Sequence, residues 1–249
     1  MQTPALAALV LSALLACKAL NKEEAPAQSS AAASAASAAA APVASLAPSG
    51  SPGSAPPAGT KTHPASPDKP LEWAAGQWTR HRLTMGGSDA SLTYKIIEQR
   101  GDDFRLEVVS EHPAQGKTVL QIELTLKSVR DAQNSNIKAA KVKLPNGTVQ
   151  EFKGALLKTM QGMYKHFLGF LSLPDLARMP REDVTVRAGH FPRCYKNDKP
   201  ANIPNVPKTG PSWVHFSVPI SGVVKVSGLD GSTQMELLDF GITGATSEL

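Results

Sequence analysis

Apolar and polar residues alternate along most of the chain from Leu71 onward. Leu92-Tyr94-Ile96, Phe104-Leu106-Val108 and Leu120-Ile122-Leu124-Leu126 are spaced by polar side chains, the period-two pattern of strands with one buried face. Similar stretches at 184–188, 190–195, 213–218, 223–227 and 235–240 bring the expected total to about ten strands. Between them stand Gly86-Gly87-Ser88-Asp89, Gly101-Asp102, Pro113 to Gly116, Asn146-Gly147 and Asp230-Gly231, residue types that tight turns favour. Connections this short predict a mainly β domain: a curved antiparallel meander or half-barrel of about ten strands.

One segment changes period. Leu156, Leu157, Met160, Met163, Tyr164, Phe167, Leu168 and Leu171 fall at helical spacing, opposite Lys158, Gln161, Lys165 and His166. A single amphipathic helix among strands has the concave face of the sheet as the natural place for its apolar stripe. It either completes the core there or lids a cavity. In the second case Met160, Met163, Phe167 and Trp213 are the ligand-binding candidates. A stiff connection from Lys196 to Pro211, with prolines at 200, 204, 207 and 211, is the second irregular piece, read as a lid, a recognition loop or a simple insertion.

The first 70 residues obey other rules. Residues 5–16 are apolar apart from Ser12, long enough for the core of a signal peptide and short of the roughly 20 residues that span a bilayer. The run ends in Leu14-Leu15-Ala16-Cys17, which resembles the lipobox of bacterial lipoproteins. That resemblance implies a signal peptide over 1–16, cleavage before Cys17 and a diacylglycerol on its thiol. Acyl chains contribute about 0.8 kcal/mol per buried methylene, so two or three of them make a lasting anchor. Met1, Gln2 and Thr3 lack the usual basic charge of a leader. Lys18 stands where an aspartate would retain a lipoprotein in the inner membrane, so the resemblance implies the outer membrane. Ala, Ser, Pro, Gly and Thr then dominate as far as Pro70, a composition too poor in apolar surface to offset its ordering entropy. The expected organisation is therefore a lipidated N-terminus and disordered linker over 17–70 and a globular domain over 71–249. A flexible chain of about 50 residues spans about 40 Å, enough to hold the domain away from its membrane.

Composition removes several classes of chemistry. The 249 residues carry a net charge of +5 without a dense basic cluster, which leaves no footprint for nucleic acid. Lys138, Lys141, Lys143 and Lys153 are candidates for anionic headgroups or envelope polymers, or simply a solvated strand face. The two cysteines are Cys17 and Cys194; with the first lipidated no intramolecular disulfide forms, and Cys194 reads as a small buried hydrophobe. Pairing Cys194 with His190 or His215 as nucleophile and base is a coincidence expected of any β domain. The six histidines have no metal-ligand spacing, and no nucleophile elbow or phosphate loop is present, so neither an enzyme nor a cofactor or metal is expected.

The stretch Val184-Thr185-Val186-Arg187-Ala188-Gly189-His190-Phe191 resembles a V-x-V-x-A-G-x-F hairpin found in several bacterial envelope families, continued in Trp213-Val214-His215, Pro219-Ile220-Ser221-Gly222-Val223-Val224-Lys225 and Leu237-Leu238-Asp239-Phe240-Gly241. Those families are similar in strand pattern to the half-barrel superfamily of the periplasmic lipoprotein carrier and its outer-membrane receptor (LolA/LolB-like). The resemblance covers roughly residues 76–244 and implies a concave apolar face that accepts acyl chains. Two readings follow: a half-barrel binding a lipid or acyl chain, or a tethered structural or protein-interaction module with a filled core. The expected partners are the membrane, through Cys17, and either a lipid or another envelope protein.

Overall fold

Eleven strands form one open antiparallel sheet. They are β1 (Trp78–Met85), β2 (Ser88–Arg100), β3 (Asp103–His112), β4 (Gly116–Thr125), β5 (Asn136–Lys143), β6 (Val149–Phe152), β7 (Arg181–Val186), β8 (Gly189–Asn197), β9 (Thr209–Val214), β10 (Val223–Gly228) and β11 (Thr233–Gly241). The computed structural model describes residues 60–85, 88–173, 176–198, 209–230 and 233–249. The spatial order is β6-β5-β4-β3-β2-β1-β11-β10-β9-β8-β7. The first and last strands thus pair in the middle, Trp78 opposite Gly241 and Leu83 opposite Met235, while β6 and β7 form the two edges.

The pleat sorts the side chains. Ile96, Leu106, Ile122, Ala140 and Phe152 are direct cross-strand neighbours from β2 to β6 and make a continuous buried row. One residue along each strand, Lys95, Glu107, Gln121, Lys141 and Glu151 make a polar row on the opposite face. Strict alternation is why a one-residue slip would invert the whole sheet, and why its register is well specified.

The connection between the two edges is the helix, α1 (Gly154–Leu171), preceded by β6 and followed by β7. Having to travel from one edge to the other, the chain crosses the mouth of the curved sheet. Leu157, Tyr164, Phe167, Leu168 and Leu171 are buried in the same cluster as Tyr94, Leu106 and Ile122. Leu156, assigned to the stripe by spacing, is instead 37% exposed at the helix start. A 3₁₀ turn, Val129–Asn134, capped by the Ser128 hydroxyl, supports the helix end: Leu173 N–H donates to Val129 O (3.1 Å), and Gln133 N–H to Ser172 Oγ (3.1 Å).

Two boundaries differ from the sequence reading. The strand expected at 213–218 lies at Thr209–Val214, and residues 215–222 turn instead. Pro211 is accommodated because two residues of β9, Gly210 and Pro211, oppose one of β10, Ser227, between the pairs Ser212–Val226 and Thr209–Gly228, a bulge that frees its position from the ladder. The following turn places Ile220 at φ 65, a costly conformation for a β-branched residue. Its carbonyl accepts the Trp73 indole N–H at 3.0 Å, one of the contacts that hold it. Second, residues 60–70, read as the end of the linker, lie on the domain: Thr62 bridges His190 in parallel, His63 and Ser66 are buried, and Leu71 N–H donates to Phe216 O (3.2 Å).

Leu168 has no exposed surface, whereas Leu229 is 67% exposed. Leu168→Ala should therefore cost about 2–5 kcal/mol in urea unfolding, and Leu229→Ala no more than about 0.5 kcal/mol. Similar losses at both sites would contradict the placement of α1 in the core.

Candidate functional site

Among the described residues, the side chains beneath α1 are packed in one buried cluster. The Tyr94 and Phe167 rings stack at 6.0 Å, and Trp73 meets Phe104 edge-on at 5.9 Å. Ile96, Leu106, Ile122, Leu168 and Leu171 have 0% exposure. A side chain bordering a water-sized hollow keeps accessible surface inside it, so no such hollow touches these five. Phe167 keeps 8%.

Of the four ligand candidates, the two whose side chains are described, Phe167 and Trp213, lie in separate clusters. Trp213 packs against a second, smaller apolar cluster containing Val184, Phe191, Cys194, Val218, Val224 and Leu237, not against Phe167. Its indole N–H donates to Glu182 Oε2 (3.0 Å), and the ammonium groups of its cross-strand neighbours Lys196 and Lys225 stand 5.7 and 5.4 Å from the ring centroid. The side chains of Met160 and Met163, the whole of residues 199–208 and the lipid-attachment candidate Cys17 lie outside the described residues.

The smaller cluster is where the entering chain is held. Residues 61–66 run beside the start of β8, with His190 N–H donating to Lys61 O (2.8 Å), His63 N–H to His190 O (2.9 Å) and Ser66 N–H to Pro192 O (3.3 Å). Gly189 makes this approach possible: at φ 135, a Cβ there would stand 2.5 Å from Lys61 O. His63 stacks on Phe191 at 4.1 Å and donates through Nε2 to Ala188 O (3.1 Å). His215 donates through Nε2 to Pro64 O (3.1 Å), while its Nδ1 accepts from the Ser217 hydroxyl (2.7 Å).

These contacts leave no nucleophile–base pair at Cys194. Its thiol donates to Phe191 O (3.4 Å), and burial, helped by the charge of Asp183, pushes its pKa up to about 12. His190 is engaged on its own hairpin, with Nδ1 3.0 Å from Thr185 Oγ1 and Nε2 3.8 Å from Asp183 Oδ2. Among the described residues no group of three or more His, Cys, Asp and Glu is placed to hold a metal, and no helix is long and apolar enough to cross a membrane.

The outer face of β2 to β5 carries a constellation that the sequence did not suggest. Glu107 is 0% exposed although it lies in the polar row. Its carboxylate accepts from Ser247 Oγ (2.6 Å), the Glu248 backbone N–H (2.9 Å), Gln121 Nε2 (3.3 Å) and Lys95 Nζ (3.5 Å). Glu248 in turn is ion-paired through Oε1 to Lys95 and through Oε2 to Lys117, and its carbonyl accepts from Lys143 Nζ (2.9 Å). Desolvation raises the Glu248 pKa, but the hydrogen bonds from Lys117 and Lys95 outweigh it and leave it below the ordinary glutamate value. The other lysines considered for anionic partners are matched by acids: Lys138 with Asp103, and Lys141 and Lys153 with Glu151. Only Lys143, of the four, belongs to the constellation.

Two buried histidines set the response to acid. Burial lowers His81 and His215 from 6.5 to about 4, against the smaller opposing effect of their carbonyl partners Val223 and Pro64. Between those pH values the unfolded chain binds protons that the folded chain does not, so stability falls as pH falls. The expected loss is about 1.4 kcal/mol per pH unit for each histidine across that window. Urea midpoints from pH 7 to 5 should show it, and His215→Asn should flatten the slope by roughly one histidine's share. A slope unchanged in the variant would contradict the burial of a neutral His215.

No protein-family model, no curated protein and no solved structure matches the chain.

Proposed function

We propose that the chain is a non-catalytic, lipid-anchored interaction module of a bacterial envelope, held at the outer membrane by acyl chains on Cys17. The observation that carries this reading is the complete burial of the central inward residues among those described. An acyl-binding half-barrel needs a hollow several methylenes long, bordered by the inward residues of its central strands. Here Ile96, Leu106 and Ile122 have 0% exposure inside one cluster that includes the buried side chains of α1. The elements left to meet a partner are the outer sheet face and its charged rows. The stretch 17–59, Ala/Ser/Pro-rich by composition, is the tether in this reading.

Two measurements test the two halves of the proposal. In an outer-membrane host, Cys17→Ala should move the chain from the membrane fraction to the soluble periplasmic fraction; continued membrane association would argue against the acyl anchor. Native mass spectrometry of the Cys17→Ala chain should give the bare protein mass, with no uptake of added fatty acid or phospholipid. A stoichiometric lipid adduct lost in Phe167→Ala would overturn the interaction reading in favour of lipid binding.

A further inference from the structure

The outer-face constellation around Glu107 and Glu248 is more densely hydrogen-bonded and ion-paired than its place in a polar row requires. Every polar group of Glu248 has a partner: the backbone N–H on Glu107, the carbonyl on Lys143, and the two carboxylate oxygens on Lys95 and Lys117. The Ser247 hydroxyl donates to Glu107 and accepts from Gln121 Nε2 at 3.3 Å. These partners come from four adjacent strands, β2 to β5, and Val109 and Val119, directly paired on the same face, are buried beside them.

The segment that occupies this site, residues 242–249, has no regular structure. After β11, Ala245 N–H donates to Gly76 O (2.9 Å) in the turn before β1, the Trp78 indole N–H donates to Thr243 O (3.2 Å), and Thr246 O accepts from Lys95 Nζ (3.0 Å). Thr246 and Ser247 are exposed on their outer side. Without Ser247 and Glu248, Glu107 loses two of its donors, and Lys95, Lys117 and Lys143 lose the acid or carbonyl they share. Glu111 still pairs with Lys117 (3.0 Å), but three ammonium groups facing Glu107 and Glu111 keep a net positive charge, so the vacated site favours an acidic ligand.

We propose that this face is a peptide-binding site for a Ser-Glu segment, occupied in cis by the chain's own Ser247-Glu248 and available in trans to an acidic peptide segment of another protein. A cis ligand works at an effective concentration in the millimolar range, so a trans partner must compete by affinity or by avidity from its own membrane attachment. The site thereby deepens the interaction-module reading, on which it rests, by naming the face and the partner chemistry.

The probe is a fluorescently labelled Ala-Thr-Ser-Glu-Leu peptide, followed by anisotropy against the full chain. Ser247→Ala/Glu248→Ala should bind it at least about tenfold more tightly than the unaltered chain, because the cis competitor has been weakened. Binding to that variant should weaken about tenfold when the peptide carries Gln for Glu, or when Lys117→Ala is added, and should fall with salt. If the double variant does not fold, Glu248→Lys serves in its place, expelling the segment by charge. A folded variant that does not bind the peptide, or binding equal in the unaltered chain, would overturn the proposal. The lipid result is independent: a lipid adduct would sink the interaction reading while leaving peptide binding measurable, and absent peptide binding would leave the outer rows elsewhere to carry that reading.

Discussion

An open sheet with a continuous apolar row cannot leave that row in water, and the buried cluster that the row Ile96-Leu106-Ile122-Ala140 shares with α1 answers this constraint. Burying a large apolar side chain contributes roughly 1.5–3 kcal/mol, and the helix supplies five such residues at the mouth of the curve. The topology makes this the economical solution. With β1 and β11 paired at the centre, β6 and β7 are left at opposite edges, and whatever joins them must cross the concave side. One segment is therefore both connection and core.

The opposite face follows a different logic. Lys95, Glu107, Gln121 and Lys141 alternate with the apolar row, which on most antiparallel sheets would make them solvated. Instead Glu107 is sealed by Ser247 and Glu248, while the entering segment 61–66 is sealed against β8 by His63, His190 and His215. Both ends of the globular unit are thus fastened by polar contacts laid over an apolar framework. Such fastenings contribute modestly to stability, since a buried ion pair recovers little more than its own desolvation cost, but they specify where each segment lies.

Much of the framework was legible from residue patterns, and the helix most clearly of all: the spacing from Leu157 to Leu171 matches the buried face of α1. Gly101-Asp102, Pro113 to Gly116 and Asn146-Gly147 all mark turns between successive strands. β1 escaped notice because its inward positions include Thr79 and His81, which are buried without being apolar. β5 escaped because a register shift opposite Glu123 and Leu124 breaks its alternation. The strap at 61–66 has no period of its own; its strand pairing comes from the start of β8, paired to β7 on one side and left uncovered by β9 on the other, a property of distant residues. The candidate site was the least legible part. Phe167 and Trp213 share apolar character but not location, and nothing in Ser247-Glu248 announces that β2 to β5 converge on it.

The central claim is that α1 is a piece of the core and not a lid over a cavity. Native-state hydrogen exchange tests it directly, by comparing the opening free energy of amides in α1, at Leu168 and Leu171, with that of amides in β3 and β4, at Leu106 and Ile122. Core elements that unfold only together exchange at the same free energy, whereas a lid opens at lower cost than the scaffold it covers. Equal values, close to the global unfolding free energy, are the predicted result. Helix amides that open several kcal/mol more easily than the strands would contradict it.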